Sequence, residues 1–204
     1  MTGRRRAGAA ICLSLLAAAG GVAWASVRSD GAAAGGLRGD AVWASGSRPA
    51  PAFALTDQSG HRVSPASLRG RPWMLMFLDS HCRTLCPIAG RQVAQAERLL
   101  GSRRVRLVVV SVDPGDSAAS VAHAARRWGW HGDWSWLMGS AAELRPVWRA
   151  YDIGVQPTPT DISHTIAVYL IDGAGDERAG FLPPIAVGAL VRDARVLQGA
   201  SAGA

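Results

Sequence analysis

The chain has 204 residues, 49% of them apolar, with 24 Gly, 11 Pro and no repeat period; this fits one globular domain with tails and excludes disordered, collagenous and solenoid chains. Its net charge of +7 arises from 22 basic residues, all of them Arg, against 15 acids. With no Lys and no basic stripe interleaved with aromatics, that charge does not mark a nucleic-acid surface, and no nucleic-acid partner is expected.

Arg4-Arg5-Arg6 precedes an uncharged stretch over residues 7–27 that is rich in Ala and Gly. A positive flank followed by about 20 uncharged residues is the pattern of a signal peptide or a membrane anchor. Ala23-Trp24-Ala25 suits cleavage, so residues 1–28 are read as a signal or anchor, with both forms open. Either form places the remainder outside the cytoplasm, on the periplasmic side. It is expected to be tethered to the cytoplasmic membrane, or secreted if the signal is cleaved. Cys12 lies inside this segment and is assigned no function. Residues 29–51, small and polar, are expected to be a flexible tether. The globular domain is expected over residues 52–198, and a disordered tail over 199–204.

Within the domain, residues 72–78 form a continuous apolar run, as expected of a strand covered on both faces. Residues 106–112 give a second such strand and 165–171 a third. A helix is predicted over 87–100, with Ile88, Val93, Ala96 and Leu99/Leu100 on its inner stripe, and another over 117–128. Ser140 and Glu143 have capping-box spacing, which starts a helix running towards Tyr151. A last helix is expected over 185–197. Strands alternating with helices imply an α/β fold with a central sheet flanked by helices.

Cys82 and Cys86 follow the first of these strands and open the first helix. Helix dipole and neighbouring Arg83 both favour thiolate there, and spacing of four lets both sulfurs converge on one ion. Two other readings stay open: a structural disulfide, and a redox pair on Cys82 and Cys86, although thiol oxidoreductases normally use C-x-x-C. A peroxidase of related fold is a further alternative. Copper held in either oxidation state calls for an imidazole as third ligand. His164, placed at the start of the third strand beside the cysteine helix, is the candidate. His61, His123 and His131 are read as solvated or capping groups. His81 is expected to point away from the site, adjoining it without ligating. Asp113, before Pro114, reads as a turn residue. Trp128, Trp130, Trp134 and Trp136 are read as core, with a partner surface as the alternative.

His81-Cys82-x-x-x-Cys86-Pro87, Ser111-Val112-Asp113-Pro114, and Ser163-His164-Thr165 leading into Tyr169-Leu170-Ile171-Asp172 together resemble the Sco/SenC family of copper chaperones for cytochrome c oxidase. The resemblance implies a thioredoxin-like domain on a membrane anchor that binds copper, Cu(I) or Cu(II), through Cys82, Cys86 and His164, with His81 and Asp113 nearby. It implies cytochrome c oxidase subunit II, at its CuA site, or another cuproprotein as partner, and a possible reductase role toward partner cysteines. Arg83-Thr84 departs from the family's usual Pro and acid after the first cysteine, and the spacing from Asp113 to Asp116 is one residue shorter than usual.

Overall fold

All six residues of β4 (Trp73–Leu78) are buried, because the strand alternates two apolar sets: Met74, Met76 and Leu78 enter one core while Trp73, Leu75 and Phe77 enter another. The computed structural model describes residues 36–101, 105–159 and 161–201. It places β4 inside a six-stranded sheet whose order is β1 (Ala41–Val42), β10 (Glu177–Phe181), β9 (Val168–Ile171), β4, β5 (Arg106–Ser111) and β6 (Trp134–Leu137). β5 lies parallel to β4 and β6 parallel to β5, whereas β9 is antiparallel to β4, so the sheet is mixed. Helices α1 (Cys86–Leu100), α2 (Ala118–Trp128) and α4 (Val187–Ser201) cover the first core. α3 (Ala141–Ala150) covers the second.

The helix ends follow the local chemistry. Ser117 and Ser120 cap α2 reciprocally, and Gly129 ends it in the left-handed region at φ 78°. Ser140 donates its backbone N–H to Glu143 at 2.8 Å at the start of α3, as the capping-box spacing predicts. The inner stripe of α1 is Ala89, Val93, Ala96 and Leu100. Ile88 and Leu99, expected on it, stand 48% and 51% exposed. Each lies one residue, and hence about 100° of helix rotation, away from that stripe.

Three boundaries differ from expectation. Residues 37–50, read as tether, are packed onto the sheet: Leu37 is buried, Ala41 and Val42 pair with Gly180 and Ala179, and Trp43 stacks on Tyr169. Arg48 then reaches the enclosed Glu177 at 2.5 Å. A few anchoring side chains outweigh a small, polar composition, so the globular unit begins near Leu37. α4 continues to Ser201 into the expected tail. The third strand, expected from residue 165, starts at Val168: Thr165 N donates to Gly154 O at 2.9 Å, beside the separate hairpin described below. The sheet also contains β6 and β10, which the sequence reading did not find. β6 is short and Trp-rich, and β10 carries Glu177 and Arg178, whose charges are buried by pairing with Arg48 and Asp172.

The outer side of β6 meets the hairpin of β2 (Leu55–Thr56) and β3 (Arg62–Val63). Beyond the Thr56 to Met138 bridge, the Gln58 side chain continues the ladder: its amide donates to Trp134 O at 3.3 Å, and its oxygen accepts from Trp136 N at 2.8 Å.

Trp128, Trp130 and Trp136 are buried, so these tryptophans are core as expected; Trp134 is half-buried against the cluster. Trp128 lies flat on α1 at Gly90, where a Cβ would stand 2.5 Å from its Cε3. Ala normally stabilises a helix interior over Gly by about 1 kcal/mol. At this site overpacking reverses the sign, and Gly90→Ala is expected to cost about 1–3 kcal/mol. Urea unfolding followed by tryptophan fluorescence measures it; equal or higher stability would show that the α1–α2 contact has slack.

Candidate metal centre

β4 ends at Leu78 and α1 begins at Cys86, so residues 79–85 form the loop that presents both thiols. Cys82 and Cys86 are free and buried. The loop is braced from behind by the end of β5 and the start of α2. The enclosed Asp116 carboxylate accepts from Ser80 N at 3.3 Å, contacts the Ser80 hydroxyl, and accepts from Ser111 Oγ at 2.6 Å. Asp79 Oδ1 accepts from His81 N at 2.7 Å, and His81 Nδ1 lies 3.2 Å from Asp113 Oδ2. The ligating atoms of Asp79, His81, Asp113 and Asp116 all fall within 4.8 Å of one another. Burial, the largest cause, raises Asp79 to about 6, and the neighbouring Asp116 and Asp113 add to the rise. Burial likewise raises Asp116.

His164 arrives from another direction. It ends β8 (Ile162–His164), which pairs with β7 (Val155–Pro157) in a separate two-stranded hairpin, with Val155 opposite His164. The residue is thus carried by a hairpin laid beside the sheet, and does not start the third strand. Its Nδ1 lies 3.0 Å from the Thr165 carbonyl. As that carbonyl can only accept, Nδ1 carries the proton and Nε2 presents a lone pair. Nε2 stands 3.2 Å from Cys86 Sγ. Burial lowers the imidazole's pKa and keeps it neutral.

The two thiols are unlike. Cys82 is pushed down to about 4, chiefly because its sulfur accepts from the Cys86 thiol and further because it accepts from Thr84, whose Oγ1 lies 3.5 Å away. Cys86 is pushed far above the usual thiol range by donating to Cys82 and by burial. The metal-free centre is therefore one thiolate, one thiol and one neutral imidazole. The Cys86 proton has two acceptors within reach, the Cys82 sulfur and Nε2. A cation that replaces this proton meets two sulfurs and a ring nitrogen together, a donor set suited to a soft or borderline ion. These groups line a cleft of about 300 Å³, with Cys82, Thr84 and Cys86 on one wall and Ile162, Ser163 and His164 on the other.

Cys82, Cys86 and His164 meet in this cleft. His81 and Asp113 lie behind the loop, outside the cleft lining, and Asp113 also accepts from Gly115 N at 2.7 Å as a turn residue does. His61 and His123 are exposed and remote from the cleft, as is His131. Asp116, Asp79 and Thr84 were not singled out from the sequence. An acid directly before the Ser117 helix cap was the available signal for Asp116; nothing local marks Asp79. Cys12 and the expected anchor over residues 1–28 lie outside the described residues. Among the described residues no helix is long and apolar enough to cross a membrane.

The sequence profile of the SCO1/SenC family matches residues 44–190. The chain belongs to the SCO1/SenC family. It is 30% identical over 134 residues to the mitochondrial SCO2 homologue of Bos taurus, a match covering 60% of this chain and 50% of that one. With the Mus musculus counterpart it shares 29% identity over 135 residues, 60% of this chain and 52% of the relative. The chain thus spans about half the length of these curated relatives. Among solved structures it resembles Bradyrhizobium japonicum ScoI with copper bound, with a TM-score of 0.64 and 28% identity over 73% of this chain and 99% of that one. Arabidopsis thaliana ScoI with copper bound gives a TM-score of 0.66 at 24% identity, over 74% and 98%. The architecture, a central mixed sheet flanked by helices, is the thioredoxin-like fold of Sco proteins, as the sequence led one to expect.

The asymmetry of the thiols has a kinetic signature. The thiolate is the nucleophile, so a sulfur whose pKa lies near 4 stays reactive as the pH falls through neutrality, where an ordinary cysteine with pKa about 8.5 loses about tenfold per unit. Iodoacetamide should modify Cys82 at a nearly constant rate from about pH 8 down to about pH 5, with the rate falling only toward pH 4, and should spare Cys86. Mass spectrometry of tryptic peptides reads both; a rate that drops steadily below pH 8 would contradict the assignment.

Proposed function

We propose that this protein takes up one copper ion, as Cu(I) or Cu(II), on Cys82, Cys86 and His164 and passes it to another cuproprotein outside the cytoplasm. The CuA site of cytochrome c oxidase subunit II is the recipient we favour. The observation that carries this reading is the 3.2 Å approach of the unprotonated Nε2 to Cys86 Sγ, across an open cleft and from a separate hairpin. A structural histidine has no need of that aim, and the donor set suits copper. The reading is supported by the copper-bound ScoI of Bradyrhizobium japonicum and by the description of BsSco as a member of the Sco family of cytochrome c oxidase assembly proteins. An N-terminal membrane segment over residues 1–28 would hold the domain on the periplasmic side, in keeping with a relative described as a lipoprotein.

Copper is cargo in this scheme. Entry of the ion displaces the Cys86 proton, the two sulfurs and Nε2 hold it, and the open side of the cleft admits an acceptor's thiolate. Exchange of ligands then moves the ion with no net redox change. Arg83, exposed beside Cys82 where the family usually has Pro, disfavours extra positive charge and so acts against Cu(II) more than against Cu(I).

A second reading, reduction of a partner's disulfide, is favoured by the pairing of a thiolate on Cys82 with a neighbouring thiol on Cys86. His164→Ala separates the two. Under copper transfer, the reduced protein loaded with copper shows sulfur-to-Cu(II) charge-transfer absorption at one ion per chain, and H164A weakens binding by at least about 100-fold. Unchanged copper affinity in H164A with full disulfide reductase activity would overturn copper transfer in favour of the reductase.

A further inference from the structure

A second cleft adjoins the β7–β8 hairpin, with a volume of about 410 Å³. Its apolar wall is built from Trp148, Ile153, Val155 and Ile162, and two guanidinium groups, Arg145 and Arg149 of α3, stand at its border. No carboxylate lines it. Among the described residues neither arginine takes part in an ion pair, although both are exposed. The wall is held in shape before anything binds: Trp148 Nε1 donates to Ser111 O at 2.9 Å, and Ile153 N donates to Trp148 O at 2.8 Å. The cleft is apolar, its wall is formed before anything binds, and its volume lies within the roughly 300–1,000 Å³ of ligand sites, with charges of one sign on its lining.

We propose that this cleft docks a segment of a partner protein that carries apolar side chains flanked by carboxylates. Charge complementarity selects the carboxylates, since two guanidiniums line the cleft and, among the described residues, no acid pairs with either. Position selects a protein segment over a free small molecule. Ile162 lines both this cleft and the thiol–imidazole cleft, so a partner that presents thiolates to Cys82 and Cys86 brings its own chain to the hairpin. Weak contacts in the second cleft then act at high effective concentration, whereas a small carboxylate would gain only the contacts themselves. The docked segment touches Val155, directly opposite His164 in the hairpin, so docking and the orientation of the ring are mechanically linked. The inference takes from the transfer reading only that a partner protein approaches this hairpin.

The experiment uses reduced, metal-free, full-length protein labelled with ¹⁵N and titrated with the blocked peptide acetyl-DLFD-amide. Saturable shifts are expected at the Trp148 indole and at the Val155 and Ile162 amides. The uncharged acetyl-NLFN-amide should bind about fivefold more weakly, and reversing both charges, R145E/R149E, should weaken the acidic peptide by about tenfold or more. Rising salt should weaken the wild-type interaction, a readout that needs no variant. Equal binding of the two peptides, shifts confined to the thiol cleft, or no saturable shift overturns the proposal. Binding of hexanoate as tight as that of the acidic peptide overturns it in favour of a small-carboxylate site. Copper loading, measured separately, should be the same in R145E/R149E as in wild type; its loss in wild type would sink the transfer reading and leave the docking result standing.

Discussion

One proton on one sulfur is the point on which the site turns. Cys86 sits at the junction where β4 becomes α1, fully enclosed, with the Cys82 sulfur on one side and the His164 ring on the other. The three groups come from two places 78 positions apart in the chain. Nothing in local structure brings them together; the sheet does. β9 runs antiparallel to β4, so the chain that precedes β9 returns to the end of β4 where the thiols are presented. The β7–β8 hairpin is the device that spends that return on an aimed imidazole.

Holding the cysteine loop still takes a buried acid. Asp116 receives Ser80 from the loop and Ser111 from the end of β5, and Ser111 also accepts Trp136 Nε1 at 2.7 Å while its carbonyl accepts Trp148 Nε1 at 2.9 Å. One serine thereby joins the loop to indoles from both cores, since Trp136 belongs to one and Trp148 to the other. Enclosing the two carboxylates of Asp79 and Asp116 beside His81 is unfavourable, as their raised pKa values show, but hydrogen bonds from hydroxyls and backbone N–H groups oppose the rise. The cluster behaves as a brace for the thiols, and that explains why His81 turns away from the cleft although it adjoins Cys82.

What the sequence made legible was whatever is written in periodicity and spacing. The apolar runs of β4 and β5, the span of α2 and the cap of α3 appear within a residue of expectation. Cys82, Cys86 and His164, which the fold brings to one cleft, stood out as candidates because thiols at a strand-to-helix junction are chemically conspicuous and because three motifs together resembled one family. The hairpin carrying His164 was not legible: its strands have three residues each, too short for period-2 alternation to register. β10 was hidden by its two charged residues, which are buried only because Arg48 and Asp172 answer them from other elements. Residues 37–50 were hidden for a related reason. Leu37, Val42, Trp43 and Arg48 are spread too thinly among small residues to form any pattern, and tertiary contact alone makes them part of the domain.

The two flanks of the sheet differ in sequence but end alike. On one, β1 contributes two residues and stops; on the other, Gln58 lends its amide to β6 as though it were a further strand. An exposed ladder invites another chain to add itself, copy upon copy. With a stub at one border and a side chain posing as backbone at the other, the central sheet, among the described residues, leaves little ladder for a further copy to extend into a ribbon.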